Sequence, residues 1–358
     1  MPSLKEIKGR INSISSTLAI TSAMKMVAAA KLQKAQMAIQ NMLPYERRLH
    51  SMLIDLMGAM NISAAASEDG SVRGSGSAER GFDQSGDRLS LSNRHDLAGM
   101  DGAYSLMAQR EVRKVAIVAF ASNSSLCGAF NSNAIREATA VINEYRASGL
   151  RDSDIVVYSV GRKMAEAMRK LGFPSPADFT KMSDSPSYEA ASALAQELLD
   201  GFVSGRFDKV ELVYNHYKST SSQPTTWQTY LPLSLADATA DLQAGKIADS
   251  ASESDTNRGA EPVGAPVVRQ GSPTTEDLIV EPSKEALIAT LLPKVIRLRI
   301  FTTLLDSAAA EHAARTVAMQ LATDNGNDLL QELTLEYNKG RQQKITSEIL
   351  DLVGGSMQ

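Results

Sequence analysis

The sequence predicts an α/β core combined with a long antiparallel coiled coil made by the two chain ends. Three observations predict it. Apolar residues recur at steps of three or four through residues 1–61 and again through residues 284–358, with few Gly or Pro inside either run. Between these runs, β-branched segments alternate with helical patterns. Aromatics are only 5% of the 358 residues while Met reaches 15, a composition suited to helix packing rather than to a large β-sandwich.

The first element is a helix over 1–61. Leu4, Ile7, Ile11, Ile14, Leu18, Thr21, Met24, Ala28 and Leu32 begin a stripe that continues to Met42 at near-heptad spacing. No Gly lies between Gly9 and Gly58, and Pro44 should bend the helix near that point. From Ser3 to Met60 such a helix spans roughly 85 Å, too long to bury in a compact domain, so the rod needs a partner. Residues 284–358 supply it. Leu298, Phe301, Leu305, Ala308, Met319, Leu329, Leu333, Ile345 and Leu352 trace a second stripe. Pro282-Ser283 with Glu285 reads as its start and Gly354-Gly355 as its stop. His312 and Arg315 lie on this stripe: either they snorkel, or the pair is looser there and faces something else.

The middle, 111–235, holds strand patterns at Val112–Ala121, Asp154–Gly161, Phe207–Tyr217 and Thr225–Leu233. Helical patterns fill Asn131–Ala147, Arg162–Leu171 and Ser187–Ser204. Strand and helix in alternation imply a Rossmann-like layer with a largely parallel sheet. Two segments fit neither part. In 62–110, the stretch Ser63–Ser92 carries eight Ser and five Gly; 236–283 has no aromatic residue and nine acids against three bases. Both read as insertions in surface loops, with too little apolar surface to offset their ordering entropy.

The chain offers little for catalysis. One Cys rules out a disulfide framework and a thiolate zinc site, and four His give no ligand pair at helical spacing. A net charge of −4 argues against nucleic-acid binding by the whole surface. No apolar run approaches the ~20 residues needed to span a bilayer, and the N-terminus lacks a signal-peptide core, so an intracellular, soluble protein is expected. Gly74-Ser75-Gly76 with Gly81 mimics a phosphate loop but has no strand before it and no helix after it. Ser122–Asn131 is better placed, between a strand and a helix, where open α/β sheets bind ligands. Within it Cys127 reads as a small thiol packing a tight turn rather than as a nucleophile, since no His or acid is spaced as its partner. Residues 1–50 carry eight Lys or Arg against two acids, which by itself reads as a basic solvated face.

Together, the terminal runs and the turn resemble one family. Leu4 to Lys8, Ile20 to Leu32 and Pro44 to Leu49 look like the opening helix of the gamma subunit of F-type ATP synthases. Leu126-Cys127-Gly128-Ala129-Phe130-Asn131 and Gly161-Arg162-Lys163 are similar to its α/β domain. Glu311 to Arg315, Ala322 to Asn325, Tyr337 to Gln342, Ile345 to Glu348 and Asp351 to Val353 with Gly355 are similar to its C-terminal signature. There are departures. Ser122-Asn123-Ser124-Ser125 replaces the family's Ser-Asp-Arg-Gly or Ser-Asp-Lys-Gly, which puts in question a polar contact made by the turn, and Ser356 stands where Ala is usual.

The resemblance implies a central rotor shaft of a proton-translocating ATP synthase, itself non-catalytic and without cofactor. It would couple rotation of the membrane c-ring to conformational change in the alpha and beta subunits of the catalytic hexamer, with the epsilon subunit beside its foot. It implies a peripheral place on the cytoplasmic face of the bacterial inner membrane, without membrane insertion. By resemblance, Met24 and Lys25 pass the beta subunits' lever loop, and Arg341 and Gln342 meet their catch loop. The strand–loop region His216–Tyr230 falls in or near the foot. The alternative is a Rossmann-like enzyme that binds a small ligand near Ser122–Gly128 and dimerises through its long helices.

Overall fold

The computed structural model describes residues 3–68, 106, 110–233, 281 and 283–355. The phosphate-loop mimic, His95 and most of both insertions lie outside the described residues. Helix α1 (Leu4–Glu68) opens on Ser3, whose Oγ accepts the Glu6 amide, an N-cap completed by the acidic first turn. The helix is unbroken across Pro44 and ends seven residues beyond the boundary read from the sequence, because Ala64-Ala65-Ala66 favour helix. At the other end, Ser283 Oγ accepts the Ala286 amide and starts α6 (Lys284–Gly355). This helix passes through Pro293 and includes Gly354-Gly355, which the sequence marks as a stop.

Between them come β1 (Val115–Phe120), α2 (Phe130–Ala147), β2 (Ile155–Val160), α3 (Arg162–Lys170), α4 (Thr180–Asp184), α5 (Tyr188–Val203), β3 (Lys209–Asn215) and β4 (Thr225–Leu231). The four strands lie in the order β2-β1-β3-β4. β1 pairs parallel with β2 and with β3, whereas β3 and β4 are antiparallel. Residues 216–224 are too few for a crossover helix, so that connection can only be a hairpin.

All six residues of β1 are buried because helices cover both faces of the sheet. Val115, Ile117 and Ala119 face Ala134, Ala138, Ile142, Met164 and Met168 of α2 and α3. Alternate residues Ala116, Val118 and Phe120 join Leu194 and Leu198 of α5, Leu292 and Ile296 of α6, and Leu49 and Leu53 of α1. Each buried Leu there contributes about 1.5–3 kcal/mol. One carboxylate is also inside. Glu211 is fully buried, and Tyr145 Oη, Trp227 Nε1 and Lys209 Nζ each lie 2.6 Å from it, which satisfies the charge.

Beyond the sheet domain, α1 and α6 touch in opposite chain directions. A Cβ at Gly340 would lie 3.1 Å from Leu4, and one at Gly326 2.6 Å from Leu18. Further along, Thr323 Oγ1 donates to Thr21 Oγ1 at 3.1 Å, and Thr302 to Glu46 at 3.0 Å. Two glycines inside a helix are therefore where leucines of the other helix approach closely.

Candidate functional site: the helix pair and its seat on the sheet

Three stations along the helix pair hold the candidate residues. At the first, Met24 and Lys25 are half-buried on α1, and Lys25 Nζ donates to Gln320 Oε1 of α6. Met26 and Val27 beside them are exposed, as is Leu321 on α6. The second station lies beyond Gly340. Arg341 and Gln342 are exposed, and so are Ile345, Ile349, Leu350, Leu352 and Val353 after them. From Gln320 to Arg341 is 21 residues, about 30 Å of helix. The structure thus does not bring the four residues together; it sets two on each of two separate levels.

At the third station the sheet domain grips the pair. The turn after β1 is fixed by Ser122, whose amide and hydroxyl both donate to Asn131 Oδ1 at 3.0 Å. Asn123 accepts the Arg162 amide at 2.8 Å and donates to Thr180 O at 2.7 Å. Leu126 adopts φ +68°, and Gly128 brings the backbone against Ala318 of α6. Cys127 is buried with Phe130, Ala310 and Ala314, so the thiol packs the turn as its sequence context indicates. Arg315 donates to Ser124 Oγ at 2.7 Å and pairs with Glu311 at 2.8 Å. Arg315 does not snorkel to water: besides its pair with Glu311 it faces the sheet domain, as the second reading of its place on the stripe has it. The altered Ser122–Ser125 turn therefore still makes a polar contact with α6.

Around this contact the electrostatics diverge. Burial pushes the Glu311 carboxyl up, and Arg315 only partly offsets it. Burial, with the charges of Arg315 and Lys31, pushes His312 down to about 4, and its Nδ1 has no hydrogen-bond partner among the described residues. On the neighbouring corner, Asp306 accepts the Tyr217 amide at 2.9 Å and lies 2.6 Å from His216 Nδ1. That hydrogen bond holds His216 above its ordinary value. Gln36 Nε2 of α1 donates to Tyr217 Oη at 2.6 Å. The sequence offers only weak notice of this corner, and none of Asp306 or Gln36, because side chains from three distant segments build it.

Among the described residues no group of three or more His, Cys, Asp or Glu could hold a metal ion, and no helix is long and apolar enough to cross a membrane. What remains is a long helix pair seated on a small α/β domain, the architecture of a stalk. The ATP synthase family model matches residues 3–357, and the chain belongs to this family as a gamma chain. The ATP synthase gamma chain of Phocaeicola vulgatus is 46% identical over 357 residues, covering 100% of both chains. That of Parabacteroides distasonis is 39% identical, covering 99% of both, and that of Flavobacterium johnsoniae is 36% identical, covering 99% of this chain and 98% of its own. Among solved structures, a chain of the Euglena gracilis mitochondrial ATP synthase (OSCP/F1/c-ring, rotational state 3) shares the fold. Its TM-score is 0.52 at 18% identity, covering 99% of this chain and 93% of that one. The small-ligand enzyme reading finds no support in these relatives.

Proposed function

We propose that this chain is the central rotor shaft of a proton-translocating F-type ATP synthase and carries no catalytic site of its own. The observation that carries this reading is a helix pair that leaves one end of the molecule exposed while the other is gripped by a sheet domain. A shaft needs that division: one end to turn within a sleeve, the other to be turned. The alpha and beta subunits would form the sleeve, and the c-ring and epsilon subunit would meet the sheet domain and the helix ends beside it. The relative in Euglena gracilis belongs to an assembly containing F1 and c-ring, which supports these partners.

The shaft acts by being asymmetric. Met24 and Lys25 at one level and Arg341 and Gln342 at another present a different face to each beta subunit at any instant. Each subunit's nucleotide affinity is thereby biased by differential contact, which is allostery through a rigid element. The Arg341 guanidinium suits a contact that forms and breaks, because its fork bonds carboxylates only in a narrow geometry. The chain would then sit peripherally, at the cytoplasmic face of the bacterial inner membrane.

Co-purification tests the reading. A tagged chain drawn from its own cell should bring equal amounts of alpha and beta, both in excess of itself, together with epsilon. A homodimer, or a monomer carrying a metabolite, would overturn it.

A further inference from the structure

We propose that the Tyr217 corner is a joint that passes torque between the sheet domain and both terminal helices, beside the apolar core that holds Leu292, Ile296, Leu49 and Leu53 to the sheet. This inference rests on the shaft reading above. β3 ends at Asn215, whose side chain is buried; its Nδ2 donates to Phe130 O at 3.1 Å and its Oδ1 accepts from Thr225 at 2.7 Å. The His216 amide then donates to Pro224 O at 2.8 Å, so the chain leaves the sheet along a fixed path. From that path one residue reaches both helices. The Tyr217 amide is held by Asp306 on α6, and the Tyr217 hydroxyl by Gln36 on α1. Its ring packs against two buried clusters at once, Cys127, Phe130, Ala310 and Ala314 on one side and Leu32, Ala309 and Ala313 on the other.

The position matters as much as the bonds. Toward the exposed tip, α6 keeps the turn contacts of Arg315 and Ala318, and then contacts α1. Tyr217 thus sits within the last stretch of α6 that the sheet domain holds, where a twisting load between domain and shaft is carried. A corner bonded through a carboxylate is stiff because its charge-assisted hydrogen bonds resist misalignment. Softening it should let the domain lag behind the helices under load.

The test uses the complete synthase in vesicles, with this chain as wild type, Asp306→Ala, Asp306→Asn or Tyr217→Phe. ATP hydrolysis and ions moved per ATP, read as proton or sodium uptake, are measured side by side. Asp306→Ala should keep hydrolysis and move about threefold fewer ions per ATP. Asp306→Asn, which still offers an oxygen to the Tyr217 amide, should recover most of the loss. Tyr217→Phe, which keeps the ring and removes the Gln36 bond, should fall between. An assembled Asp306→Ala complex with the wild-type ratio overturns the joint. Should that variant fail to assemble, a wild-type ratio in Tyr217→Phe overturns it instead. A wild-type chain that supports no coupled transport sinks the shaft reading itself, so the two failures are distinguishable.

Discussion

Gly161 joins β2 to α3 at φ +98°, and a Cβ there would lie 2.0 Å from the Ala121 carbonyl oxygen. Backbone cannot yield as a side-chain tip can, so Gly161→Ala should cost about 3 kcal/mol or more. Denaturant unfolding of the full chain would measure it. Two histidines give opposite pH signatures. His216 has a folded pKa above 6.5, so its stabilisation is complete below 6.5 and is lost as pH rises through the raised value. His312 is held neutral down to about 4, so it withdraws stability as pH falls from 6.5 toward about 4. Melting temperature against pH should show His312→Gln flattening the acid limb, and His216→Gln lowering stability only on the acid side of the raised value. The groups facing them are Asp306 and Lys218 for His216, and Arg315 and Lys31 for His312.

Among the elements, the helix glycines separate propensity from packing. Nothing lies within 4 Å of a Cβ at Gly9, so Gly9→Ala should stabilise α1 by about 0.5–1 kcal/mol. At Gly326 the same change meets Leu18 Cδ2 at 2.6 Å and Cγ at 3.2 Å, and should lose that gain or reverse it. Thermal unfolding of both variants makes the comparison. β1 and β2 were legible because they are β-branched runs buried on two faces, a pattern that neighbouring residues alone produce. The run Val112–Ala121 contains β1 and overshoots it by three residues at the start and one at the end. Glu211 was not legible as a core residue, since its acceptability depends on Tyr145 and Trp227 arriving from other elements. For the same reason Arg315 reads as an intruder on an apolar stripe until Ser124 is placed beside it. The grip of the sheet domain on the helices is a property of side chains brought together by folding, and no spacing along the chain announces it.

For the molecule as a whole, the exposed end of α6 is where function and stability come apart. Arg341 is exposed, so Arg341→Ala should change stability by no more than about 0.5 kcal/mol. In the assembled synthase the same change should slow coupled ATP hydrolysis by roughly twofold to tenfold. A fully assembled variant with unchanged turnover would remove Arg341 from the contact and leave only its exposure.

The bond between Thr21 and Thr323 joins residues 302 positions apart, and it sets a timetable for synthesis. A ribosome working at 5–20 residues per second exposes α1 on the order of 15–60 s before the matching stretch of α6 is made. During that wait Ile7, Leu18 and Leu32 have no companion helix, and the nascent chain is at its stickiest. Truncated products that lack α6 are therefore expected to be clients of holding chaperones, and the arrival of α6 is what releases them.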